Sequence, residues 1–97
     1  MTPLGRLRVP AHLQESIRGL HPDLKRKVRA ALDVIRSDPS AGKELRDGLA
    51  GLRSFRLGRF RIIYRFGSTR LIDLIAIGPR RVIYEETLRL LRRGRRP

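Results

Sequence analysis

The sequence predicts an α+β fold: a helical hairpin packed on a twisted antiparallel sheet of about four strands, finished by a short C-terminal helix. Three observations lead there. Apolar residues recur at three- and four-residue spacing up to Ile35, they switch to alternation at Arg53, and a nearly continuous apolar run, Leu71 to Ile77, follows the alternating segments. With 97 residues the chain forms a single domain, 1–97, too short for a second core or for a large multi-domain enzyme.

Taken in order, Arg6-Leu7-Arg8-Val9 alternates like an edge strand, and Pro10 sits where a first helical turn tolerates a missing N–H. Leu13, Ile17 and Leu20 place a first helix over about Ala11–Gly19, with Gly19 and His21-Pro22 as stop and restart. From Pro22 a second helix buries Leu24, Val28, Ala31, Leu32 and Ile35, while Lys25, Arg26, Lys27, Arg29 and Arg36 form a basic outer face. Ser37-Asp38-Pro39-Ser40 ends it, and residues 38–51 read as a polar connection.

In the next segment Arg53, Phe55 and Leu57 fall on one side of a strand and Ser54 and Arg56 on the other. Gly58-Arg59 makes a tight turn into Phe60–Phe66, where Phe60, Ile62, Tyr64 and Phe66 form an apolar row and Arg59, Arg61, Ile63 and Arg65 the opposite one. The expectation is therefore one greasy sheet face and one face made mostly of arginine. Leu71–Ile77 reads as a strand buried on both faces, closed by Gly78-Pro79. Arg80–Arg93 reads as a helix with a basic tail behind it.

Charge narrows the function. The formal charge is +14, from three Lys and twenty Arg against nine acids. Residues 1–52 carry a net +4 and residues 53–97 a net +10, so the second half faces a polyanion. Solubility alone does not demand such an excess of arginine over lysine, and guanidinium forks suit phosphate oxygens. No apolar stretch is long enough to span a membrane. The absence of cysteine and of a secretory-type apolar leader makes a reducing cytoplasm the expected compartment. His12 and His21 have no carboxylate cluster beside them and read as surface or capping residues, so neither a metal site nor a cofactor is expected.

Two segments carry the chemistry: Arg53–Tyr64 on a hairpin and Gly78–Tyr84 between the last strand and the last helix. Should a meander bring them together, Arg56, Arg61, Arg80 and Arg81 converge with Tyr84 in one electropositive patch. Tyr84 follows Arg81 by three residues and Arg80 by four, the spacing that shares a helix face. A packed helical tyrosine is almost as good a reading of Tyr84. Tyr64, on the apolar row, reads as core.

Two blocks resemble a known family. Leu45, Leu49 and Gly51-Leu52-Arg53-Ser54-Phe55-Arg56-Leu57-Gly58-Arg59-Phe60-Arg61-Ile62-Ile63-Tyr64, followed by Ala76-Ile77-Gly78-Pro79-Arg80-Arg81-Val82-Ile83-Tyr84, are similar to the RelE/ParE superfamily of type II toxins. Asp38-Pro39 after the second helix fits as well. The resemblance covers nearly the whole chain. It implies the same order of elements, with a C-terminal helix displaced by or bound near the antitoxin.

In the RelE branch it further implies ribosome-dependent cleavage of mRNA in the A site. A 2′-hydroxyl attacks the adjacent phosphate and the 5′-oxygen leaves, without metal or small-molecule cofactor. By position Arg61 and Arg80 would stabilise the dianionic transition state, Arg56 would orient the phosphate or protonate the leaving oxygen, and Tyr84 would stack on or orient the base. Arg53, Ser54, Arg59, Arg65 and Arg81 are the expected RNA contacts around them. The implied partners are a cognate antitoxin, the ribosome and mRNA. Ser54 is a departure, since many RelE-like nucleases present a lysine two residues before the Arg56 position. No His or Glu stands near the blocks as a base.

Two other functions stay open at this point. A ParE-like toxin inhibits DNA gyrase by binding and does no chemistry. A plain RNA- or ribosome-binding domain follows from charge alone, although Phe55, Phe60, Tyr64 and Phe66 fall on the apolar row and leave few aromatic platforms for bases.

Overall fold

The computed structural model describes residues 6–66 and 70–94. Their elements are β1 (Arg6–Arg8), α1 (Ala11–Arg18), α2 (Pro22–Ser37), β2 (Lys43–Glu44), β3 (Leu52–Leu57), β4 (Phe60–Phe66), β5 (Leu71–Pro79) and α3 (Arg80–Gly94). Short 3-10 turns at Pro39–Ala41 and Asp47–Leu49 flank β2. The strands form one five-stranded sheet in the order β1-β5-β4-β3-β2.

Both N-terminal helices begin and end where the sequence dictates. Pro10 precedes α1 and Pro22 opens α2; His21 caps α2, its Nδ1 accepting the Asp23 N–H at 3.2 Å. Asp38 ends α2, and its carboxylate accepts from the Ser40 N–H and hydroxyl at 3.3 and 2.7 Å, which turns the chain towards the sheet. The α-hairpin covers one sheet face, where Leu13, Ala31 and Ile35 meet Ile62, Tyr64, Ile72 and Leu74 in a buried cluster.

Three features depart from the sequence reading. The connection 38–51 is partly ordered into the sheet, because Lys43 and Glu44 pair antiparallel with Ser54 and Arg53. β1 pairs parallel with β5, Arg6–Arg8 beside Leu71–Asp73, so the sheet is mixed rather than purely antiparallel. The opposite sheet face is also not mostly arginine. There α3 folds back and builds a second core from Leu49, Leu52, Ile63, Ala76 and Ile83, flanked by Tyr84, Leu88 and Leu91. Ile62, Ile63 and Tyr64 are consequently all fully buried in succession. An alternating strand tolerates this when both of its faces are covered. The second core sits over the middle of the face and leaves arginine exposed only at its ends.

Tyr64 joins the connection to the sheet. Its hydroxyl accepts the Gly42 N–H at 2.9 Å and donates to the Pro39 carbonyl at 2.5 Å. Burial pushes the phenol above its ordinary value of 10.0; the Gly42 N–H and the Arg53 charge pull the other way, and Asp38 adds to the rise. The folded state therefore favours the neutral phenol. The stabilisation is complete below the unfolded phenol's ordinary value and is lost as pH climbs through and beyond it.

Urea unfolding followed from about pH 9 to pH 11 should show wild-type stability falling more steeply than that of Tyr64→Phe. Parallel pH profiles would contradict this. At neutral pH, Tyr64→Phe should cost about 1–3 kcal/mol, because it orphans a buried N–H and a partly buried carbonyl.

Candidate functional site

The register of the sheet stacks residues in rows on the α3 side. Arg56 of β3 lies directly opposite Arg61 of β4, which pairs with Gly78 of β5. One row inward come Ser54, Ile63 and Ala76, and these carry the second core. Like charges directly opposite on a sheet repel, at a cost of up to about 1 kcal/mol in a water-like medium. Nothing acidic relieves this pair: among the described residues the ion-paired arginines are Arg8, Arg18, Arg26, Arg36 and Arg53. Arg56 is exposed and Arg61 half-buried, and the Nε of Arg61 is buried with no hydrogen-bond partner among the described residues. A desolvated, unsatisfied donor next to a second unpaired guanidinium is an arrangement suited to an anion.

Gly78 shapes the row. A Cβ there would stand 3.1 Å from Ile83 Cδ1, so the glycine lets α3 settle onto β5 and leaves no side chain beside Arg61. Arg80 opens α3, and its N–H donates to the Arg59 carbonyl at 2.9 Å, tying the helix start to the β3–β4 turn. That turn needs the left-handed conformation of Gly58, at φ +60°. Arg56, Arg61 and exposed Arg80 thus gather at one end of the sheet. Tyr84, one turn into α3, is half-buried against the second core, with its hydroxyl 3.4 Å from Ser54 Oγ.

The expected RNA contacts divide. Arg59 is exposed in the turn beside Arg80. Arg65 is exposed on the same face as Arg61, four residues along β4 and therefore about 13 Å away. Arg81 stands in the first turn of α3, and its side chain lies outside the described residues.

Two of the expected contacts lie apart from the exposed arginines. Arg53 points to the other face, where its guanidinium donates to the Gly42 and Ser40 carbonyls at 2.8 and 3.4 Å and to Glu44 at 3.3 Å. Strand alternation separates it from Arg56, and it secures β2 instead. Ser54 is on the right face but only 2% exposed, covered by α3 and out of reach of a polymer.

Sequence reasoning missed two parts of the site. Gly78 looked like a strand terminator, and its role as the gap beside Arg61 depends on cross-strand register. The Ser54–Tyr84 contact spans thirty residues, and only the alternation that put Ser54 beside Arg56 hinted at it. Among the described residues, no group of three or more His, Asp or Glu side chains could hold a metal ion, and no helix is long and apolar enough to cross a membrane.

This architecture recurs in solved toxins. It is similar to the toxin–antitoxin complex RelBE2 from Mycobacterium tuberculosis, at 25% identity over 79% of this chain and 99% of that one, with a TM-score of 0.70. A free-state mutant of the Escherichia coli toxin RelE shares the fold over 96% of this chain and 99% of its own, at 15% identity and a TM-score of 0.73. The archaeal RelE–RelB complex from Pyrococcus horikoshii does so at 20% identity, with 79% and 96% coverage and a TM-score of 0.65. No curated protein matches the chain in sequence.

An α-hairpin and a C-terminal helix on the two faces of a five-stranded sheet, together with the likeness to the RelBE2 complex and the family match below, make this a toxin of the RelE/ParE superfamily. Residues 7–84 match the family of ParE toxins of type II toxin–antitoxin systems (parDE), and the chain belongs to that family.

Proposed function

We propose that this toxin is a ribosome-dependent endoribonuclease that cleaves mRNA in the A site and is silenced by a cognate antitoxin. The observation that carries the reading is the Arg56–Arg61 pair, opposed in register, unrelieved by any acid among the described residues and bearing an orphaned Nε, at the end of the sheet where Arg80 opens the last helix. In the reaction the 2′-oxygen bonds to phosphorus while the bond to the 5′-oxygen breaks. A 2′,3′-cyclic phosphate and a 5′-hydroxyl result, with one proton lost by the nucleophile and one gained by the leaving oxygen.

Arg61 and Arg80 stabilise the charge that builds on the phosphoryl oxygens, and Arg56 orients the phosphate or supplies the leaving group's proton. Tyr84 stacks on or orients the base. Arg59 and exposed Arg65 hold phosphates further along the strand. The RelE complexes with RelB, together with a charge of +14, support an acidic antitoxin as partner. The translating ribosome in the cytoplasm is then the place of action.

The test is primer extension on a defined mRNA with programmed ribosomes, using toxin stripped of any partner. Cuts inside the A-site codon that weaken in Tyr84→Phe support the nuclease. Ribosome binding should also weaken steeply with salt, the slope falling by about one for each phosphate-contacting arginine removed. A salt-independent affinity would contradict the electrostatic basis of the reading.

A second reading rests on the family match itself and on Ser54, a buried neutral residue in a site that has no obvious base. It makes the protein a gyrase-directed toxin that binds and does no chemistry. A folded, growth-inhibiting protein that never cleaves, and whose toxicity survives Tyr84→Phe, would decide for it.

A further inference from the structure

The Ser54–Tyr84 contact has no place in the scheme above, and it bears on how the only aromatic side chain of the site is held. Ser54 is central in β3, 2% exposed, and paired in register with Ile63, so apolar side chains surround it. A hydroxyl in such a place is costly unless it finds a polar partner. The side-chain partner that Ser54 has is the phenol oxygen of Tyr84, 3.4 Å away. Either oxygen can be the donor, so the pair satisfies a buried hydroxyl and restrains a half-buried ring at once.

The helix that carries Tyr84 is anchored on both sides of it. Its neighbour Ile83 is fully buried and seats on Gly78, and Thr87, one turn on, is fully buried with its hydroxyl bonded to the Ile83 carbonyl at 2.7 Å. These contacts fix the helix backbone, the Tyr84 ring packs half-buried against the second core, and the Ser54 hydroxyl is the side-chain polar group that its phenol oxygen meets. Ser54 stands two residues from Arg56 on the same strand face, so the point that catches the phenol is on the strand that presents Arg56.

We infer that Ser54 is a positioning residue: its hydroxyl holds the Tyr84 phenol over β3, one row from Arg56 and Arg61, in the orientation in which it meets RNA. This rests on the nuclease reading for its catalytic consequence, and the contact itself can be tested apart from it. Ser54 touches no substrate and acts through Tyr84 alone. A lysine at this position would add charge to the patch; serine instead orders the aromatic group.

The test is a double-mutant cycle on the full-length toxin, with Ser54→Ala, Tyr84→Phe and the pair, assayed for A-site cleavage at saturating and limiting ribosomes. Ser54→Ala should lower kcat about fivefold, the size of one neutral hydrogen bond, and leave KM within about twofold. The double variant should be no worse than Tyr84→Phe, since the serine has nothing left to position. Ser54→Thr, which keeps the hydroxyl, should restore most of the rate. Additive losses, or an equal defect in Ser54→Thr and Ser54→Ala, would overturn the inference.

A second measurement does not depend on activity. The chain has two tyrosines and no tryptophan, so 3-fluorotyrosine labelling gives a fluorine spectrum of two sites, assigned with Tyr84→Phe. In Ser54→Ala the Tyr84 resonance should move and sharpen while the Tyr64 resonance stays. An unmoved Tyr84 signal refutes the contact even if wild-type toxin cleaves. A wild-type toxin that never cleaves refutes the nuclease reading, and the spectrum still decides whether Ser54 orders the ring.

Discussion

Arg61→Ala is expected to cut the rate of A-site cleavage by about a hundred- to a thousandfold, the usual consequence of removing one preorganised donor to a developing oxyanion. The same substitution should leave the melting temperature unchanged or slightly raised. Arg61 faces Arg56 across the strand pair and keeps a buried Nε without a partner, so the folded protein loses a repulsion and an unsatisfied donor when it goes. Loss of activity with no loss of stability marks a residue retained for what it binds. Arg61→Lys separates charge from geometry: it keeps the cation, loses the planar fork, and should fall between the two. Cleavage and melting measured on the same preparations check this. An Arg61→Ala protein that is destabilised and still cleaves normally would show the arginine to be structural.

Gly42→Ala should lower stability by about 3 kcal/mol, which for a domain of this size is roughly 15 °C in melting temperature. Gly42 is buried with an ordinary extended backbone, so conformational freedom is not the reason. The reason is space. A Cβ at this position would stand 2.6 Å from the Tyr64 hydroxyl and 2.9 Å from its ring, and the ring is fully buried and cannot swing aside. Relief requires moving the connection, which breaks the hydrogen bonds of the phenol to Gly42 and Pro39 and strains those of Arg53 to the Gly42 and Ser40 carbonyls. Calorimetry of Gly42→Ala against wild type measures this. A change under about 0.5 kcal/mol would mean that the connection adapts without the Tyr64 contact.

Much of the fold was legible because local signals were strong. The helix boundaries at Pro10, Gly19, His21-Pro22 and Asp38-Pro39 follow from the missing proline N–H and from capping chemistry, which act over a few residues. The hairpin around Gly58 follows from a positive φ that glycine supplies. Two-residue periodicity assigned Arg56 and Ser54 to one face and Arg53 to the other before any contact was known. The two-residue β2 and the parallel β1–β5 pairing were not legible, because neither leaves a local pattern.

The amino-acid sequence by itself determined the element order, the family resemblance, the charge and the arginine-bearing segments, since propensity, periodicity and composition are properties of neighbours along the chain. The tertiary structure alone decided what covers each sheet face. Folding α3 back over β3, β4 and β5 turned an expected arginine face into a second core and confined the unpaired arginines to its ends. It also removed Ser54 from solvent, placed it against Tyr84, and committed Arg53 to the connection on the other side. The physical reason is that burial and pairing are set by register and by helix docking between residues far apart in the chain, and a side chain's chemistry depends on what those contacts leave open.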